Sequence, residues 1–138
     1  MMDALQIKTS PDPMEAFHIA QGYTVGDLVF TSGQAAIDKS GNLVGIGDFD
    51  AQAQQTFSNL DEVLRQAGSG LAHVIKVTIY LKDMANFPKI VALRHRYFTA
   101  PYPADTIVEV TSLALPELEI EIEAIALANG LTKEPITP

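Results

Sequence analysis

The chain contains no cysteine. That excludes a disulfide framework, a thiol nucleophile and a thiolate-held metal. It suits a reducing compartment, and the expected location is the cytoplasm. The opening residues, MMDALQIKTSPDPMEAF, lack a basic segment followed by an apolar run, so they do not read as a secretory signal. No apolar run approaches the length of a membrane span, and no membrane partner is expected. Basic residues are scarce too: nine Lys and Arg stand against seventeen Asp and Glu, a formal charge of −8. A nucleic-acid backbone is repelled on average, and no basic track offsets this, so no nucleic-acid partner is expected. The densest basic group, Lys89, Arg94 and Arg96, falls on one short helix and reads as a solvated face. No His, Asp or Glu spacing resembles a metal site, and no glycine-rich phosphate loop follows a strand. Neither a metal nor a cofactor is expected.

What is present is enough for one packed domain. The 138 residues are 47% hydrophobic, which supports a core without staples. Residues 1–15, with Pro11 and Pro13, read as an irregular arm, and 129–138 as a loose tail. Phe17–Ala20 reads as the start of a strand. Tyr23–Thr31 reads as a hairpin turning at Gly26-Asp27, where glycine takes positive φ. Asp50 is the expected N-cap of a first helix. Its apolar stripe is Ala53, Phe57, Leu60, Leu64 and Ala67, with Gln52 placed elsewhere, and Gly68 is its stop. Val74–Leu81 alternates, with Ile75, Val77, Ile79 and Leu81 on one face. Asn86 and Pro88 open a second helix that buries Ile90, Leu93, Tyr97 and Phe98.

Two strands follow. Thr106–Leu113 is rich in β-branched residues, and Leu115-Pro116-Glu117 interrupts it. From Leu118 the alternation is strict. Leu118, Ile120, Ile122 and Ala124 point one way, and Glu119, Glu121 and Glu123 the other. Acids at this spacing raise one another's pKa. The acidic face then becomes apolar at Ile125 and Leu127. The order is β-β-α-β-α-β-β, an α+β arrangement of one sheet with two helices on one face. Two helices cover one face of the sheet, so the other is expected to meet further copies of the chain.

Gly26-Asp-Leu-Val-Phe-Thr-Ser-Gly-Gln34, the unit ending in Tyr80-Leu-Lys-Asp83, and Glu121-Ile-Glu-Ala-Ile-Ala126 together resemble the RidA/YjgF (Rid) family. The resemblance runs from about Phe17 to Leu127. It implies a chorismate-mutase-like fold and a homotrimer with a small-molecule cleft between each pair of subunits. It also implies cofactor-free hydrolysis of imines and enamines such as 2-aminoacrylate. Some members have been described as endoribonucleases, which the acidic charge of this chain disfavours.

The resemblance carries over only in part. Where the family has a carboxylate-binding arginine in Pro-Ala-Arg-Ser, this chain has Pro103-Ala104-Asp105-Thr106. A cleft tyrosine falls at Ile19 and a cleft asparagine at Val91. The acid that orders a water is kept as Glu121, and the backbone at Ser32 and Gly33 is kept. The expected ligand-binding positions are therefore Ile19, Ser32, Gly33, Val91, Asp105 and Glu121, with Asp105 and Glu121 as the catalytic pair. His18, beside Ile19, is a candidate proton shuttle. Arg94, one helical turn after Val91, is a candidate replacement for the lost arginine. An unpaired aspartate about 4 Å from a substrate carboxylate would repel it by about 4 kcal/mol at an effective dielectric near 20. Activity on 2-imino acids is accordingly expected to be weak or absent. The alternative expectation is a non-catalytic binding trimer of the same fold.

Overall fold

A computed structural model describes residues 2–136. The hairpin forms as the sequence requires. β2 (Gly22–Val25) and β3 (Leu28–Thr31) pair antiparallel, with Val25 opposite Leu28. Gly26 sits at φ 58° at the first central position of the turn, which a side chain would resist. A further strand lies in the segment expected to be an irregular arm. β1 (Ala4–Ile7) pairs antiparallel with β2 at the sheet edge. Phe17–Ala20 begins no strand: Glu15–Phe17 is a 3-10 turn and the strand starts at Gly22. Residues 129–136 carry neither helix nor strand, and 137 and 138 lie outside the described residues.

After the two-residue strand β4 (Gln34–Ala35) comes α1 (Phe49–Gln66). Its N-cap is Asp48, whose carboxylate accepts from the Ala51 N–H; Asp50 lies in the first turn instead. Ala53, Phe57, Leu60 and Leu64 are buried as the stripe requires, and Gly68, at φ 76°, stands just past the helix end. Gln52, placed off the stripe from sequence, is fully buried. Its amide donates to the Gly45 and Glu117 carbonyls (3.2 and 2.8 Å) and accepts from the Glu119 N–H (2.9 Å). It is thus a buried clasp between α1 and the approach to the last strand.

β5 (Val74–Leu81) leads through a 3-10 turn into α2 (Phe87–Tyr97). Asn86 occupies the N-cap position of α2 but makes no capping bond with its side chain. Ile90 and Phe98 are buried, and the Phe57 ring stacks on Tyr97 at 4.3 Å. A register shift between Val74 and Lys76 puts Val74 rather than Ile75 into the core beside Val77, Ile79 and Leu81. β6 is Ala104–Glu109, shifted earlier and shorter than expected, and β7 is Ile120–Leu127.

The sheet order is β1-β2-β3-β7-β5-β6, with β4 also pairing β7. β6 runs parallel to β5, and the other pairs are antiparallel. The two strands adjacent in sequence, β6 and β7, are therefore separated by β5. Ile120, Ile122, Ala124 and Ala126 of β7 face the helices and are buried, which matches the alternation in the sequence. The opposite face has no cover among the described residues. Tyr23, Leu28, Phe30 and Val108 are exposed on it, with Ile125 paired to Phe30 and Leu127 to Leu28. An apolar sheet face left in water is the kind of surface that associates.

Candidate functional site

The expected site residues form two groups within the chain. The first lies where β3 ends. Ser32 closes the strand, its N–H donating to the Gln21 carbonyl (2.9 Å) and its hydroxyl to the Ala20 carbonyl. These bonds pin the His18–Ile19 loop beside Ser32. His18 is exposed and adopts the left-handed conformation (φ 59°). Ile19 is 49% exposed, with its N–H on the Met14 carbonyl. Past Ser32, the Asn59 amide donates to the Ala35 and Ile37 carbonyls (2.8 and 2.7 Å), holding β4 against α1.

Glu121 stands opposite Ala35 on β7, and its side chain crosses Gly33. A Cβ on Gly33 would overlap Oε2 of Glu121 and lie 2.8 Å from its Cδ. Gly33 does not take positive φ; glycine here clears space for a carboxylate. Burial, and secondarily the charge of Glu123, push Glu121 above its ordinary pKa. The effect of a next-but-one acid read from the sequence is therefore present at Glu121, with burial as the larger cause. Glu123 accepts from the Tyr80 hydroxyl, and this bond, aided by burial, raises the tyrosine's pKa.

The second group lies at the far edge of the sheet. Asp105 of β6 pairs with Val77, a core residue, so it points toward the helices. Glu121 pairs with Tyr80 on the open face. Within one chain the two carboxylates expected to act together are on opposite faces of the sheet. Asp105 has a different partner. Arg94 reaches down from α2 and donates from Nε to Oδ2 (2.8 Å) and from Nη2 to Oδ1 (3.0 Å). This corrects the charge argument made from sequence. Residue 105 is no bare anion, because a bidentate guanidinium neutralises it. Val91, one turn before Arg94, is 56% exposed. Beside the ion pair is a cavity of about 260 Å³ lined by Arg94, Phe98, Tyr102, Pro103 and Asp105. Phe98 and Tyr102 as cavity walls were not legible beforehand, since helix spacing marks Phe98 only as core.

The other expectations resolve locally. His73 is half-buried in a 3-10 turn. Lys89 pairs with Asp50, and Lys8, Lys39 and Arg65 also have acidic partners, so these bases form no free cationic track. Among the described residues there is no His, Asp and Glu group arranged to hold a metal. No helix among the described residues is long and apolar enough to cross a membrane.

A single mixed sheet of this order, helices on one face and a carboxylate laid over a glycine on the other, defines a small α+β protein of the chorismate-mutase-like kind. The family described as Endoribonuclease L-PSP matches residues 8–128. A RutC family protein of Pyrococcus horikoshii is 39% identical over 127 residues, covering 91% of this chain and 98% of that protein. The 2-iminobutanoate/2-iminopropanoate deaminase of Salmonella typhimurium is 35% identical, covering 88% and 95%. The crystal structure of the Rid family protein YyfA from Yersinia pestis superposes with a TM-score of 0.83 at 30% identity, covering 91% of this chain and 99% of that one. The chain belongs to the RidA/YjgF family.

Proposed function

We propose that the protein is a cytoplasmic, homotrimeric hydrolase of small imines or enamines, with its clefts between subunits. The observation that carries the reading is Glu121: a carboxylate on an uncovered sheet face, raised in pKa, in a space cleared by Gly33. A raised pKa brings a carboxyl closer to the range in which it can both take and return a proton. In the reaction, water adds to the C=N carbon of a protonated imine while Glu121 accepts a proton from it. That proton passes from Glu121 to nitrogen. The C–N bond then breaks as the hydroxyl of the adduct loses its proton to the freed Glu121 carboxylate. A carbonyl compound and ammonia leave, and Glu121 gives the last proton up to ammonia or water. Each bond made and broken balances without a cofactor.

The site is incomplete in one chain. Ile19, Ser32, Gly33 and Glu121 belong to one group, and Val91, Arg94 and Asp105 to another on the opposite face. A trimer in which one copy's open face meets another's β6 edge would unite them. The exposed Tyr23, Leu28, Phe30 and Val108 supply apolar surface for that contact. The deaminase name borne by the Salmonella relative supports the reaction class.

The test is direct. An imine generated from an amino acid by an amino-acid oxidase is given to the purified protein, and ammonia release is followed. Wild type should accelerate release, and Glu121→Gln should reduce it by about 100-fold, as removal of a general acid–base group does. Wild type without effect on a panel of such imines would favour the non-catalytic binding trimer. Light scattering showing a single protomer would remove the intersubunit cleft.

A further inference from the structure

The Arg94–Asp105 pair is built differently from a simple anion grip. Asp105 engages the side edge of the guanidinium, Nε and Nη2. A guanidinium carries five N–H groups, and this pairing uses two. The outer edge, formed by Nη1 and the second N–H of Nη2, is left to face other acceptors. The guanidinium is also held from another side, with its Cζ 5.8 Å from the centre of the Phe87 ring. Its position is set by two contacts before any ligand arrives. Each oxygen of Asp105 accepts one bond from Arg94 and keeps a further lone pair. Both side chains remain partly exposed, 28% for Arg94 and 17% for Asp105, at the wall of the 260 Å³ cavity.

We propose that this pair reads a small zwitterion: a carboxylate on the outer edge of Arg94 and a cationic nitrogen, one carbon away, on Asp105. Arg94 is the ligand-binding group for the carboxylate. Asp105 has two tasks, positioning Arg94 and contacting the nitrogen. The inference rests on the imine-hydrolase reading for the fate of the ligand, although binding itself needs no turnover. It assigns a preference that a lone arginine would not give. A protonated 2-imino acid carries both charges and fits both groups. The 2-oxo acid left after hydrolysis has lost the nitrogen and keeps only the carboxylate, which Asp105 repels. The site would then hold substrate and release product on the same electrostatic ground. The apolar walls, Phe98, Tyr102 and Pro103, leave room for a short side chain.

A matched pair of probes tests this: 2-aminobutanoate and 2-oxobutanoate, which differ at the second carbon. Binding is measured by calorimetry and by NMR shifts of the Arg94 Nε–H and the Tyr102 ring. Wild type should bind the amino acid at least tenfold more tightly than the oxo acid. Arg94→Lys keeps the charge but loses the planar edge, and should weaken both by tenfold or more. Asp105→Asn keeps an acceptor for Arg94 and removes the charge; it should abolish the preference, weakening the amino acid and strengthening the oxo acid. Equal affinity in wild type, or a preference that survives Asp105→Asn, would overturn the proposal. So would affinities unchanged in Arg94→Lys. Melting curves confirm that each variant is folded. Zwitterion binding that depends on both residues, without ammonia release, would uphold this inference and sink the hydrolase reading. Ammonia release with binding indifferent to Arg94→Lys would do the reverse.

Discussion

Replacing Gly33 with alanine should separate the two reasons a protein keeps a glycine. The backbone at Gly33 is open to any residue, since its φ is not positive. The obstacle is the Glu121 side chain, whose Oε2 the new methyl would overlap and whose Cδ and Cγ would lie at 2.8 and 3.1 Å. Overpacking of this kind costs about 1–3 kcal/mol. A carboxylate at the end of a flexible chain can swing away, which places the expected cost of Gly33→Ala near the lower end, about 1 kcal/mol. With Glu121 already shortened to alanine the obstacle is gone. Gly33→Ala should then stabilise by about 0.4–1 kcal/mol, because alanine restricts the unfolded chain. The coupling between the two positions is therefore about 1.5–2 kcal/mol. Urea unfolding of the four proteins measures it, at one fixed protein concentration because assembly contributes to apparent stability. If Gly33→Ala costs the same with and without Glu121, the glycine is not there for the carboxylate, and the reasoning fails.

Two further predictions concern stability. Glu121 has a folded-state pKa above its ordinary value, so the folded chain binds its proton more tightly than the unfolded chain does. Its contribution favours folding below the unfolded pKa and becomes a penalty as pH rises through the folded value. Glu121→Gln should therefore be more stable than wild type near neutral pH, with the gain fading as pH falls through the raised folded value and gone below about pH 4; a variant less stable at neutral pH would contradict the assigned cause. Gln52→Leu removes three hydrogen bonds and strands the Glu117 carbonyl and the Glu119 N–H, while the Gly45 carbonyl keeps its bond from the Asp48 N–H. A loss of about 3 kcal/mol or more in urea unfolding is expected, and a loss under about 1 kcal/mol would mean those groups find water instead.

Local period made much of the molecule legible. The Gly26 hairpin, the α1 stripe ending before Gly68, and the two faces of β7 all follow from residue spacing, because each is a property of neighbours in the chain. The uncovered sheet face was legible for the same reason, as two helices cannot cover two faces. What spacing misled about was also local, where two residues offer the same chemistry. Asp48 and Asp50 are equally good caps, and only the turn at Gly45–Asp48 selects the first. Gln52 has a polar side chain and a buried fate, because two of its three partners, Glu117 and Glu119, come from a segment far along the chain.

The sequence by itself determined the family, the α+β class, the core face of β7 and the position of Glu121. The meaning of Asp105 was decided only in three dimensions. Its charge, read alone, argued against any anion in the cleft. The crossover from α2 into β6, laid parallel against β5, brings Arg94 within hydrogen-bonding distance and turns that charge into half of a pair. The strand order also sends Asp105 and Glu121 to opposite faces, something eleven-residue and sixteen-residue separations along a chain cannot convey. Periodicity records which way a side chain points, but the partner it meets depends on how distant segments pack.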